Sequence, residues 1–316
     1  MRTPLRTSRY FALLCASSVA MTLGNKWLAR ADGALAAHAQ LVVFVQNAIA
    51  VAVLGCLASA GAVRVSPLDR TQLGFYTWDA LVLVVQLWTS LGALRHLPVS
   101  ATSVVRALAV PCVAWLELAV LGARLRMSRH VAAWAVVAGA AMYAYADLAT
   151  PSDARTGYLW AAANLAAYCS NSVLDRHFMS RSAQTAGGLA LYTQLISLPI
   201  SLCHIVLIDG TRAVDALALA RALDTSTAVA LLVTGVLAAL LGSMYAACYR
   251  RASATAVTFM GNVNKAASIA GGAIVFGGAL NAAQCIGLLA TLGGAFAFAW
   301  LGAADEPKAA KLKGAL

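Results

Sequence analysis

Residues 255–278 read TAVTFMGNVNKAASIAGGAIVFGG. The run is apolar and long enough to cross a bilayer, which takes about 20 residues of helix. Its middle nevertheless holds Asn262, Asn264 and Lys265. An ionised side chain at the bilayer centre costs about 2.5–3.5 kcal/mol on insertion scales, so such a residue faces a wet cavity or a partner rather than lipid. Gly261, just before the polar cluster, permits an opened backbone or the close approach of a ligand. The later glycines, Gly271, Gly272, Gly277 and Gly278, fit close helix crossings. Gly277 to Asn281 also reads as a tight turn.

The rest of the chain resembles this segment in composition. Of 316 residues, 61% are hydrophobic and 11% charged, against about 45–50% and about 25% in soluble domains. Apolar segments recur near 8–28, 38–61, 74–94, 98–122, 129–147, 157–179, 186–208, 226–248, 253–276 and 279–302. A β-barrel would need alternating segments of about 10 residues, which are missing. The expected fold class is an all-α polytopic membrane protein with ten transmembrane helices.

The net charge of +11 does not point to nucleic acid, because the basic residues are scattered through short loops and form no basic face. With both termini in the cytosol, most of them, such as Arg64, Arg70, Arg126, Arg250 and Arg251, fall on the cytosolic side. Few, such as Arg95 and Arg155, fall on the other. That bias supports this orientation and an even number of spans.

An internal repeat sharpens the architecture. VSATSVVRALAVPCVAWLELAVLG (99–122) resembles ASATAVTFMGNVNKAASIAGGAIVFGG (252–278), and SSVAMTLGNKWL (17–28) resembles AAYCSNSVLDRHFM (166–179). Segments 1, 4 and 5 thus match 6, 9 and 10. Five spans per half is odd, so the second half is inverted, and inverted repeats place a binding site near the midplane of a transporter. Residues 1–150 form the first five-helix repeat. Residues 151–316 form the second and a short cytosolic tail. The N-terminus mimics a signal peptide, but the repeat predicts that segment 1 is retained as the mate of segment 6.

Arg106, Glu117 and Lys265 are the deepest charges. Arg106 and Lys265 lie on repeat mates and are expected at one cavity, where two cations suit a phosphate-bearing anion. Arg106 and Glu117 are about 16 Å apart along one helix at 1.5 Å per residue, too far for direct pairing. Asp79, Trp78, Trp134, Trp160 and Tyr10 read as interfacial residues near span ends. The seven cysteines read as small core residues. The five histidines form no cluster, so no metal is expected, and neither is a cofactor. No nucleophile–base pair or P-loop marks an enzyme.

GNVNK preceded by SATAVTFM resembles the Gly-Ala-Leu-Asn-Lys motif of Golgi GDP-mannose transporters, in the nucleotide-sugar branch of the drug/metabolite transporter superfamily. SSVAMTLGNKWL, LPVSATSVVRALAV and GYLWAAANLAAYCSNSVLDRHFM resemble that family's first, fourth and sixth spans. The likeness covers essentially the whole chain. It implies ten spans, cytosolic termini, a Golgi or related secretory membrane, and exchange of a nucleotide sugar for a nucleoside monophosphate, with a homodimer left open. One departure stands out: the family's seventh span carries Phe-Tyr-Asn-Asn, whereas this chain has Leu191-Tyr192-Thr193-Gln194. Gln194 retains a two-point hydrogen-bonding group.

The resemblance therefore implies phosphate contacts from Lys265 and Arg106, and base contacts from Tyr192, Thr193 and Gln194. Gly261, Asn262 and Asn264 would meet sugar or ribose. Thr102, Ser243 and Tyr245 complete the expected substrate-binding set. A GDP-sugar is the leading substrate. A UDP-sugar, a sugar phosphate exchanged for phosphate, and a non-transporting membrane protein of the same fold stay open.

Overall fold

The structure is a computed structural model that describes residues 4–29, 35, 38–68, 70–121, 125–148, 154–209, 223–250, 257, 265, 268–269, 271–272, 274–277 and 280–313. Its elements are helices α1 (Pro4–Leu28), α2 (Ala39–Ser59), α3 (Leu73–His96), α4 (Val99–Ala107), α5 (Ala109–Leu121), α6 (Met127–Leu148), α7 (Ala154–Arg181), α8 (Ala186–His204), α9 (Thr225–Tyr249) and α10 (Ala282–Lys313). A 3₁₀ turn, Arg70–Gln72, precedes α3, and a π turn, Ile205–Asp209, follows α8. The described residues between 257 and 276 are helical. Helices satisfy their own backbone groups, which lipid cannot do.

Among the described residues, five helices are long and apolar enough to cross a membrane: Ala39–Ser59, Arg70–His96, Val99–Val120, Ala186–Leu207 and Thr225–Tyr249. Ala282–Phe298 is apolar but shorter. α1 and α7 have spanning length but carry polar stripes, which the cavity described below explains.

α6 runs along α10, α3 along α7, and α9 along both α1 and α2, while α8 packs against α2, α3 and α9. Small residues set the closest of these approaches. A Cβ at Gly139 of α6 would lie 2.6 Å from the Thr291 amide nitrogen. One at Gly287 of α10 would lie 2.8 Å from the Gly139 carbonyl oxygen. Only glycine lets these two backbones come so near. Gly277 does a different job from the helix-crossing glycines: its φ of 71° is in the left-handed region, at the turn before α10.

Buried amides tie the helices together. Gln46 Nε2 donates to Asn25 Oδ1 at 2.9 Å and to Thr234 Oγ1 at 2.8 Å, linking α2 to α1 and α9. Asn47 Nδ2 donates to Ser197 Oγ at 2.8 Å, linking α2 to α8. Lys26 Nζ donates to the Leu94 and Leu97 carbonyls at 2.6 and 2.9 Å. These are carbonyls at the C-terminal end of α3, where a cation is favoured.

Three expectations change. Asp79 is only 2% exposed, so it belongs to the interior and not to the membrane interface, held there by partners described below. Trp160 packs edge-on against Trp88 at 4.9 Å and is half-buried, so it is not a free interface anchor. Cys56, Cys203 and Cys285 are exposed, which fits lipid-facing residues better than core ones. The fourth span is broken at Leu108. Pro111 has no N–H to return to Ala107, and the chain tightens there to an i−3 bond from Leu108 N to Val105 O at 3.1 Å.

Candidate functional site

A cavity of about 260 Å³ lies between α1, α3, α4, α7, α8, α9 and the segment holding Lys265 and Ser268. Helical periodicity explains its walls. α3 contributes Asp79, Gln86 and Ser90, spaced i, i+7, i+11. α1 contributes Ser18, Thr22 and Asn25 at i, i+4, i+7, and α7 contributes Tyr168, Asn171 and Asp175 at i, i+3, i+7. Each set falls on one helix face.

One end of the cavity is basic. Arg106 Nε donates to Asn164 Oδ1 at 3.2 Å, and its guanidinium also donates to Ser90 Oγ. Asn164 Nδ2 in turn donates to the Gln86 carbonyl at 2.6 Å, which fixes the amide's orientation. Lys265 Nζ donates to the backbone carbonyl of Arg106 at 2.7 Å. That carbonyl stands at the break in the fourth span. Among the described residues, neither cation is paired with a carboxylate. Glu117 is buried on α5 and is not a cavity wall.

The other end is acidic. Asp79 Oδ1 accepts from Asn171 Nδ2 at 2.6 Å, and Asp79 Oδ2 accepts from Thr193 Oγ1 at 2.6 Å. Asp175 hydrogen-bonds Asp79 as well. A carboxylate with this many partners is a satisfied buried group, which accounts for the inward position of Asp79. Two unpaired cations at one pole and a carboxyl pair at the other suit a ligand with an anionic end and a hydrogen-bond-donating end.

The expected site residues divide three ways. Lys265, Arg106, Thr193, Gln194 and Tyr245 line the cavity, and the Tyr245 hydroxyl hydrogen-bonds Ser18. Tyr192, Thr102 and Ser243 are not among its walls. The Tyr192 hydroxyl donates to the Ser66 carbonyl at 2.9 Å. Thr102 Oγ1 turns back to the Val99 carbonyl at 3.0 Å, and Ser243 Oγ to the Ala239 carbonyl at 3.0 Å. Gly261, Asn262 and Asn264 lie outside the described residues. Asp79, Asp175, Gln86 and Ser90 were not singled out as cavity residues by their types alone. The one-face spacing on α3 and α7 was the signal that could have found them.

The model of the Triose-phosphate Transporter family matches residues 5–299. The chain is 23% identical over 276 residues to a GDP-mannose transporter of Scheffersomyces stipitis, covering 84% of each protein. It is 26% identical over 283 residues to GDP-mannose transporter 2 of Neosartorya fischeri, covering 83% of this chain and 78% of that one. A solved crystal structure of a protein shares the fold at a TM-score of 0.65 and 18% identity, over 91% of this chain and 98% of its own.

Proposed function

The chain belongs to the Triose-phosphate Transporter family, and on that premise we propose that it is a nucleotide-sugar antiporter. It exchanges a cytosolic GDP-sugar, with GDP-mannose foremost, for luminal GMP. Transport, not catalysis, is what the family and the relatives' names point to. The observation that carries the reading is the meeting of Arg106 and Lys265, from opposite halves of the chain, at one pole of a central cavity. Both cations are desolvated and, among the described residues, lack a carboxylate partner, which is costly unless an anion arrives. A diphosphate linkage supplies that anion.

The helix pairing supports two inverted halves, residues 1–150 and 151–316, with ten spans. Exchanging the halves turns the α3–α7 pair into α9–α1 and the α2–α9 pair into α8–α3, while α6–α10 and α2–α8 map onto themselves. Rocking of such halves around a shared site gives alternating access. Exchange follows because the empty basic pole closes poorly without an anion. The loop charges favour cytosolic termini, and a Golgi or related secretory membrane is the location we propose, in keeping with the substrate named for the relatives.

Counterflow in proteoliposomes tests this. Liposomes loaded with GMP should take up labelled GDP-mannose, and liposomes loaded with UMP or phosphate should not. The family's name favours a second reading, a sugar phosphate exchanged for phosphate. Uptake of a labelled sugar phosphate into phosphate-loaded liposomes, with no uptake of GDP-mannose, would select it. No exchange with any of these from folded protein would sink both readings.

A further inference from the structure

Among the described residues, three buried polar atoms on the cavity wall have no hydrogen-bond partner: Gln86 Oε1, Asp175 Oδ1 and Gln194 Oε1. All three are acceptors. Gln194 is only 5% exposed, so its oxygen has no water-filled surface to fall back on. A buried acceptor left unpaired is expensive and marks a place where a donor is missing. An amide can be turned round to present its nitrogen, but both heteroatoms of a carboxyl are oxygens. Asp175 is therefore the anchor of this wall. Asp79 is already engaged, because Asn171 and Thr193 each donate to one of its oxygens and Asp175 bonds it as well.

The two poles are set apart along one helix seam. On α3, Asp79 marks the acidic end and Ser90 the basic end. On α7, Asp175 and Asn164 do the same in the opposite chain direction. Each pair is eleven residues apart, about 16 Å at 1.5 Å per residue. A ligand whose phosphates sit on Arg106 and Lys265 extends its other end toward Asp175 and Gln194.

We propose that Asp175, supported by Asp79 and flanked by Gln194, is the base-selecting residue of this cavity and reads the paired N–H donors of guanine. This rests on the nucleotide-sugar reading above. Guanine offers two parallel donors on one edge, its ring N1–H and its 2-amino group, which suit the two free acceptors of this wall, Asp175 Oδ1 and Gln194 Oε1, while the other Asp175 oxygen stays with Asp79. Uracil has a single N–H between two carbonyl oxygens, which would face the carboxyl unfavourably. Adenine sets an acceptor nitrogen beside its amino group. The Asn pair missing from the seventh span is thus replaced by a carboxyl pair on the third and sixth, with Thr193 turned to hold Asp79 in place.

The test is ligand-induced thermal stabilisation of the purified full chain by GMP, IMP, XMP and UMP. IMP lacks the 2-amino group, and XMP carries a carbonyl there. The wild-type protein should need at least about ten times more IMP than GMP for the same shift, the loss of one charge-assisted hydrogen bond. In Asp175→Asn that ratio should fall to about threefold or less, and XMP should begin to stabilise, because the new amide can donate to its carbonyl. A gain of XMP cannot come from a merely destabilised variant. The wild-type comparison needs no variant at all. Equal stabilisation by GMP and IMP in wild type, or an unchanged GMP preference in Asp175→Asn without gain of XMP, overturns the assignment of Asp175 alone. No stabilisation by any nucleotide overturns it together with the nucleotide-sugar reading.

Discussion

Lys265 donates its ammonium protons to the main-chain carbonyl of Arg106 at 2.7 Å. A neutral carbonyl at the broken fourth span is a poor counter-charge for an ammonium held beside a guanidinium. The pair is held together by the fold, not by its own attraction. Stability and function should therefore separate at this point.

Lys265→Met tests that separation. Replacing a buried cation by an apolar side chain of similar length removes a desolvation penalty. The ligand-free protein should keep its melting temperature or gain a few degrees. Half-saturation for GDP-mannose should rise about 10- to 100-fold, the worth of one or two charge-assisted contacts. Thermal unfolding with and without GMP, beside counterflow kinetics, reads both. A variant that unfolds early would show that Lys265 is structural.

Arg106 is aimed as well as charged. Asn164 and Ser90 hold its guanidinium from α7 and α3. Asn164→Ala leaves the charge and frees its direction, so half-saturation should rise by about 3- to 10-fold, less than for Arg106→Ala. Arg106→Lys should not restore transport, because an ammonium cannot serve two partners in the fixed planar geometry of the fork. Equal kinetics in wild type and Asn164→Ala would remove the positioning role.

The membrane class and the depth of Lys265 and Arg106 could be read from residue types alone, because charges in apolar runs are expensive wherever they occur. The acidic pole could not. Asp79 sits near a span end in sequence, where an interfacial position is the cheaper guess. Only the packing of α3 against α7 and α8 brings Asn171, Asp175 and Thr193 around it. Tyr192 shows the converse. It is adjacent to the cavity residue Thr193, but a one-residue step along a helix turns the side chain about 100°, and its hydroxyl ends at Ser66. Local sequence likeness transfers a motif's position more reliably than the direction of each side chain in it.

The α6–α10 crossing predicts a contrast within one helix. Gly294 faces the Val136 amide nitrogen, with a Cβ built there 2.9 Å away, whereas Gly293 faces open space. Gly294→Ala should force the helices apart and cost about 1–3 kcal/mol, as overpacking does. Gly293→Ala should be neutral or mildly stabilising, since alanine is the better helix former. Thermal unfolding of the two variants in the same detergent checks this. Equal melting temperatures would mean that the crossing is looser than 2.9 Å implies.

Asp224 caps α9 and gives a pH dependence with a definite sign. Its Oδ2 accepts from the Ser226 hydroxyl, from Ser226 N at 3.1 Å and from Thr227 N at 3.3 Å. The Ser226 bonds, and then those of Thr227, pull the carboxyl down to about 2 from an ordinary 3.8. A carboxyl depressed by folding stabilises the folded state above its unfolded value, and that contribution disappears as pH falls through the folded one. The cap is therefore complete above about pH 4 and lost toward pH 2. Amide resonances of Ser226 and Thr227 followed from pH 5 to pH 2 should titrate with a midpoint near 2, and Asp224→Asn should abolish the titration while keeping the cap. A midpoint near 4 would mean that the carboxylate spends little time on these amides and that the first turn of α9 is held by something else.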